Sequence, residues 1–168
     1  MGGQDVLGKF RKEIRKAEYP RELAIDVMYA LQARDGYLTD EGLVEGAELL
    51  GMTPLEMEEL ATFYDFIYRE PVGEFVIHAC DGVVCWMFGE ESVVDYLCRK
   101  LDVAVGERSR DGLFTVLPSS CIGQCDKAPA MMIRDRTYGP LTPEKIDEIL
   151  ETLKQGHFPL IDEGDRDV

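Results

Sequence analysis

The chain has 168 residues, 45% of them hydrophobic, which is enough for one ordinary domain or a compact domain with a smaller appendage. Its 33 acidic and 18 basic residues give a formal net charge of −15, which argues against nucleic acid or an anionic membrane surface as a partner. No apolar run is long enough to cross a membrane and no signal peptide is recognisable, so we expect a soluble intracellular chain with reduced cysteines.

The first part of the chain has the start and stop signals of three short helices. Pro20 opens the first helix, which Gly36 stops, and Gly51 ends the second. The third begins with the capping box "TPLE" at 53–56. The apolar stripes are Leu23, Val27, Met28 and Leu31 in the first helix, Leu43, Val44, Ala47 and Leu50 in the second, and Leu60, Ala61 and Tyr64 in the third. These helices predict a small bundle that ends near residue 69.

After Pro71 the pattern changes to a mixture of strands and helices. The predicted elements are a strand over 74–80, a helix over about 86–101, a strand over 113–118, a hairpin around Asp135 and Arg136, and a helix capped by Thr142 and stopped by Gly156. The inward-facing residues of the two helices are Val93, Val94, Leu97, Cys98 and Leu101, then Ile146, Ile149, Leu150 and Leu153. The order β-α-β-β-β-α predicts a small α/β sheet domain.

Four of the five cysteines form two pairs. Cys80 and Cys85 make a C-x4-C pair in the loop after the first strand, and Cys121 and Cys125 make a C-x3-C pair after the second. If the two strands are neighbours in one sheet, both loops lie at the same edge and the four thiolates converge. Structural zinc prefers tight C-x-x-C knuckles, whereas a two-iron cluster tolerates longer loops. The spacing therefore favours iron and sulfur.

Four stretches of the sequence together resemble a known family. They are "ATFYDFIYREPVG" before the first strand, "CDGVVC", "DGLFTVLPSSC" and "CIGQCDKAP". In this order they are similar to the small 2Fe-2S subunit of the NADH-oxidising module of bacterial respiratory complex I, over about residues 23–153. The resemblance implies a thioredoxin-like 2Fe-2S domain over 71–156, behind a helical bundle over 1–70 and before an acidic tail over 157–168.

The resemblance also implies a site and a function. Cys80, Cys85, Cys121 and Cys125 would ligate one 2Fe-2S cluster, each pair holding one iron. The chain would be an electron-transfer subunit of NADH:quinone oxidoreductase, with no complete active site of its own. A partner flavoprotein subunit would bind FMN and NADH, a further iron-sulfur subunit would belong to the same module, and the complex would sit on the cytoplasmic side of the inner membrane. Consistently, the sequence has neither a G-x-G-x-x-G nor a P-loop motif.

Several alternatives stay open at this point. The same resemblance covers diaphorase subunits of NAD-linked hydrogenases and formate dehydrogenases. A freestanding thioredoxin-like 2Fe-2S ferredoxin should lack the N-terminal helices, and a thiol oxidoreductase or a zinc-stabilised module is a third class. A Rieske site needs two histidines in place of one cysteine pair, and only His78 and His157 are present, so that variant is excluded.

Other residues near the cysteines have competing interpretations. Cys98 belongs to an apolar helical stripe and is interpreted as a core residue. His78 faces the same side of its strand as Cys80 and could approach the site, but it is interpreted as an ordinary strand residue. Trp86 and Phe88 could shield the site, pack under a partner or belong to the core. The aromatic stretch "ATFYDFIY" is interpreted as packing between the two regions.

The residues inside the two cysteine loops suggest how a cluster would be tuned. Gly82 and Gly123 should let backbone amides turn toward sulfur. Asp81 and Asp126 each follow a cysteine and should oppose the added electron, while Lys127 offsets part of that effect. All-thiolate ligation then predicts a reduction potential at the low end, about −400 mV.

Overall fold

The computed structural model describes residues 6–89 and 91–158. They divide into two compact units with the boundary between Pro71 and Val72, and each unit has its own hydrophobic core. The partition into 1–70, 71–156 and 157–168 stays a prediction, and residues 159–168 of the predicted tail lie outside the described residues. In this described part of the chain, no helix has the length and apolarity needed to span a membrane.

The N-terminal unit consists of helices joined by short turns. They are α1 (Gly8–Ile14), α2 (Ala24–Asp35), α3 (Asp40–Leu50) and α4 (Pro54–Phe63), with a 3-10 turn over Pro20–Leu23 leading into α2. The three predicted helices are present, and α1 is an addition. Its sequence GKFRKEI contains only two large apolar residues, so it has no periodic stripe that could be recognised.

Local signals fix the ends of these helices. The backbone N–H of Glu56 donates to the Thr53 hydroxyl, and the Glu56 carboxylate accepts from the Thr53 backbone N–H, so the predicted capping box is confirmed. Gly36 (φ +86°) and Gly51 (φ +65°) end α2 and α3 in the left-handed conformation, which glycine adopts without steric cost.

Two residues of the predicted apolar stripes lie on the surface instead. Val44 and Tyr64 are exposed, and Gly46 takes the place expected for Val44 on the contact face of α3. A Cβ atom at Gly46 would lie 2.8 Å from Met57 Cε and 3.0 Å from Leu31 Cδ1. The absence of a side chain therefore lets α3 approach α2 and α4 closely and turns Val44 outward.

The C-terminal unit is a four-stranded mixed sheet with helices. Its strands are β1 (Phe75–Cys80), β2 (Phe114–Ser119), β3 (Met131–Ile133) and β4 (Arg136–Tyr138), in the order β2-β1-β3-β4. Strand β1 is parallel to β2 and antiparallel to β3, and β3 and β4 form the predicted hairpin. All six residues of β1 are buried, as a central strand requires.

Three helices accompany the sheet: α5 (Val83–Phe88), α6 (Val93–Leu101) and α7 (Pro143–Lys154). The single helix predicted over 86–101 was wrong, because α5 starts earlier and ends before an extended Gly89. The Ser92 hydroxyl then accepts from the Asp95 backbone N–H and starts α6. The predicted cap of α7 is confirmed, since the Thr142 side chain accepts from the Lys145 backbone N–H.

Candidate metal centre

The sheet brings the two cysteine pairs to one edge. Strands β1 and β2 run parallel with Cys80 opposite Ser119, so the segment that contains Cys121 begins beside the end of β1. The backbone N–H of Asp81 donates to Ser119 O at 2.8 Å, and that of Cys80 donates to Ala130 O at 3.1 Å. The condition set by the sequence argument, that the two strands are neighbours in one sheet, is therefore met.

The first pair is held by regular secondary structure. Cys80 is the last residue of β1, and Cys85 lies in α5, not in a loop as expected, because the helix begins at Val83. Both side chains are buried and hydrogen-bonded to each other. Burial, followed by that hydrogen bond, raises the pKa of Cys85 to about 11.

The second pair lies in an exposed segment, with Cys121 in a loop and Cys125 at the start of a 3-10 turn over Cys125–Lys127. The Sγ atoms of Cys121 and Cys125 are 3.3 Å apart, and both residues are exposed. Gly123 has φ +81°, and its backbone N–H donates to the Cys121 sulfur, which lowers the pKa of that thiol. The expected role of Gly123 in turning an amide toward sulfur is confirmed.

Gly82 has a different role from the one expected. Its backbone is extended (φ −74°, ψ 152°), a conformation open to any residue. A Cβ atom there would lie 3.3 Å from Cys121 Cβ and 3.4 Å from Cys80 Sγ. A side chain at this position would therefore fit tightly, because the two cysteine segments pass close to each other here.

The four thiols form one hydrogen-bonded group. The hydrogen bonds link the thiols in the sequence Cys85, Cys80, Cys121, Cys125. Across residues 6–89 and 91–158, no group of three or more His, Cys, Asp or Glu side chains surrounds a point that could hold one metal ion. Two thiolates on one tetrahedral metal lie about 3.8 Å apart, close to the separation of the second pair. Four thiol donors in one connected group fit the ligand set of a 2Fe-2S cluster.

Helix α5 carries an apolar surface beside the first pair. Of its six residues only Cys85 is buried, and its exposed side chains are Val83 (75%), Trp86 (61%), Met87 (76%) and Phe88 (70%). The interpretation of Trp86 and Phe88 as core residues is therefore wrong, and the choice between shielding and partner contact stays open. Four neighbouring apolar side chains on one short helix are typical of an interaction surface.

One contact near the cysteines was not predicted from the sequence. The indole Nε1–H of Trp86 donates to Asp81 Oδ1 at 2.8 Å. Sequence periodicity gives no sign of it, because the expected helix began at Trp86 and left the preceding residues in a loop.

Two further residues occupy the places expected of them. Cys98 is half-buried on α6 and packs against the sheet core, which agrees with its interpretation as a core residue. His78 is buried within β1, between Leu117 of β2 and Met132 of β3. It precedes Cys80 by two residues on the same strand.

Comparisons with known proteins agree with this geometry. Residues 10–154 match the family model described as thioredoxin-like [2Fe-2S] ferredoxin. The E subunit of NADH-quinone oxidoreductase from Pseudomonas aeruginosa is 40% identical over 139 residues, covering 83% of this chain and 84% of the relative. The protein of the same name from Escherichia coli K12 is 41% identical over 142 residues, covering 84% and 86%.

The fold also matches solved structures. A chain of an NAD+-reducing [NiFe]-hydrogenase in the H2-reduced state has a TM-score of 0.65 and 29% identity over 81% of this chain. The air-oxidized state gives the same TM-score with 28% identity over 77%. This chain spans only 23% of each hydrogenase chain. Because the family model covers most of the chain and its curated relatives match along most of their own length, the chain belongs to the thioredoxin-like [2Fe-2S] ferredoxin family.

Proposed function

We propose that this chain is an electron-transfer subunit of an NADH:quinone oxidoreductase and that Cys80, Cys85, Cys121 and Cys125 hold one 2Fe-2S cluster. The observation that carries the proposal is the meeting of two cysteine pairs at the ends of parallel neighbouring strands. Such a cluster supplies a one-electron carrier. The chain's own residues bind it from two sides, one pair from β1 and α5 and the other from the loop after β2.

The NADH chemistry would belong to other subunits of the same complex. We assign FMN and NADH to a partner flavoprotein subunit, beside a further iron-sulfur subunit, with the cluster close to the flavin. The complex would lie on the cytoplasmic side of the inner membrane. The names of the curated relatives support this assignment, because they are subunits of an NADH-quinone oxidoreductase and match along most of their length.

The apolar side chains of α5 support a partner at this site. Cys85 belongs to this helix, so a protein seated on Met87 and Phe88 stands directly beside the cluster. The only charged side chain in residues 81–89 is Asp81, which accepts a hydrogen bond from Trp86. The surface of α5 therefore fits an apolar face on a partner protein. We propose that this partner is the flavoprotein subunit.

A second candidate is the corresponding subunit of an NAD-linked hydrogenase. The structural match to an NAD+-reducing hydrogenase favours it, since the same fold forms part of a much longer chain there. The higher identity and the matched length of the oxidoreductase relatives favour the first assignment.

Anaerobic purification tests the cluster. We expect a coloured protein with two irons and two acid-labile sulfides per chain, and a signal in electron paramagnetic resonance after one-electron reduction. Cys121→Ser should lose the cluster, whereas Cys98→Ser, which changes the core cysteine, should keep it. A colourless protein with bound zinc and no sulfide would contradict the proposal.

Co-expression with the neighbouring genes tests the partner. We expect a flavoprotein to co-purify with this chain, and the addition of NADH to the purified complex to reduce the cluster. A hydrogenase subunit in the same complex would favour the second candidate. A cluster-containing chain that binds no flavoprotein would contradict both.

A further inference from the structure

A hydrogen bond spans the segment that carries the first cysteine pair. Asp81 follows Cys80 and Trp86 follows Cys85, and the Trp86 Nε1–H donates to Asp81 Oδ1 at 2.8 Å. The side-chain contact therefore joins the residues that come directly after each member of the pair. It adds to the helical bond from Trp86 N–H to Gly82 O, at 3.1 Å.

The backbone fixes one end of this contact. Asp81 is tied to the second segment, because its backbone N–H donates to Ser119 O. Its carboxylate is exposed, and without the indole it could rotate into water. A bond between a carboxylate and an N–H donor is stronger than one between neutral groups, so it can hold the side chain in a single orientation.

We propose that Trp86 is a positioning residue that holds the Asp81 side chain through this hydrogen bond. The bond stabilises the segment from Cys80 to Cys85 and so slows loss of the cluster, and it keeps the negative charge of Asp81 beside the cluster. This inference rests on the proposed function. When the cluster takes up one electron, no bond forms or breaks and one negative charge is added, so a fixed carboxylate nearby lowers the reduction potential. A carboxylate free to turn into water acts through a higher dielectric and lowers it less.

Four variants separate the bond from the charge. Asp81→Asn removes the charge but keeps a side-chain oxygen that accepts from the indole, whereas Asp81→Ala removes both. Trp86→Phe keeps the ring and removes the donor. Phe88→Leu is the matched control, since it changes another exposed aromatic residue of α5.

The purified holoprotein of each variant is assayed for cluster loss to an excess of chelator and for midpoint potential by redox titration. We expect Trp86→Phe and Asp81→Ala to lose the cluster about two- to tenfold faster than the wild type, as the loss of one hydrogen bond predicts. Asp81→Asn, which keeps a weaker neutral bond, should speed cluster loss by less than Asp81→Ala does and should raise the potential. Trp86→Phe should raise the potential by less than Asp81→Asn does.

The double variant completes the test. Adding Trp86→Phe to Asp81→Ala should change neither the rate of cluster loss nor the midpoint potential further, because the hydrogen bond is already absent. The proposal is overturned if Trp86→Phe loses the cluster no faster than Phe88→Leu does, or if the two changes in the double variant add. Iron and sulfide contents of the wild type distinguish this failure from a failure of the cluster assignment.

Discussion

The two cysteine pairs differ in what holds them. Cys80 and Cys85 lie on a buried strand and a helix, so their positions follow from regular secondary structure. Cys121 lies in an exposed loop and Cys125 starts a 3-10 turn, and this segment contains the Gly123 amide bond to the Cys121 sulfur and the contact between the two sulfurs. The first pair would therefore bind the cluster from regular secondary structure, which we call the rigid side, and the second pair from an exposed segment.

The largest expected effect on cluster binding comes from Gly82, where the two cysteine segments pass close to each other. Gly82→Val should abolish cluster binding. A Cβ atom at this position would lie 3.3 Å from Cys121 Cβ, and the two methyl groups of valine would push the segments apart. Iron and sulfide analysis measures the result.

Gly123→Ala is the matched control in the exposed loop. A Cβ atom there meets nothing within 4 Å, and only its φ of +81° is unfavourable, so we expect a cost of about 1 kcal/mol in stability with the cluster retained. If Gly82→Val binds a full cluster, the close approach of the two segments has no role in binding.

A smaller effect is expected on partner binding at the rigid side. Met87→Asp places a charge on the exposed face of α5 and should weaken binding of the flavoprotein subunit about tenfold or more, since buried apolar anchors dominate such interfaces. Binding of the purified subunits, each with its full cofactor content, measures the change.

Val105→Asp is the control for that experiment. Val105 is 54% exposed after the end of α6, in the same unit but outside α5, and its change should leave the affinity unaltered. If both variants bind the flavoprotein subunit equally weakly, the added negative charge acts on binding in general and not through α5. If Met87→Asp lowers the molecular mass of the isolated subunit in solution from that of an oligomer to that of a monomer, α5 is instead a contact between copies of this chain.

The smallest expected effect is a difference in thiol reactivity in the apoprotein. Alkylation requires the thiolate, so near pH 8 Cys121, whose pKa the Gly123 amide lowers, should react before Cys85. Burial raises the pKa of Cys85 to about 11, so its reaction should become fast only as the pH approaches that value. Mass spectrometry after a short pulse of iodoacetamide measures the order, and equal rates would contradict the contrast between the pairs.

Much of the fold could be predicted because its signals are local. The capping box at Thr53, the cap of α7 at Thr142 and the run of β-prone residues in β1 depend on residues close together in sequence. The adjacency of β1 and β2 was only a condition of the sequence argument, and the structure supplies it.

The remaining features depend on contacts between distant or unpatterned residues. Val44 was placed inside by periodicity, yet the approach of Met57 to Gly46 turns it outward. The break between α5 and α6 depends on an extended Gly89, and the bond from Trp86 to Asp81 exists only because α5 starts before it was expected to. Propensity and periodicity carry no information about such contacts.

The position of Cys85 in a helix has a consequence for how the spacing of the cysteines can vary. One residue inserted between Val83 and Cys85 would rotate the thiol by about 100° around the helix axis and carry it away from Cys80. A residue inserted between Cys121 and Cys125 would enlarge an exposed loop, and loops of this kind absorb insertions. The four-residue spacing of the first pair thus depends in part on the helix that carries Cys85, whereas the three residues between the second pair lie outside any helix or strand.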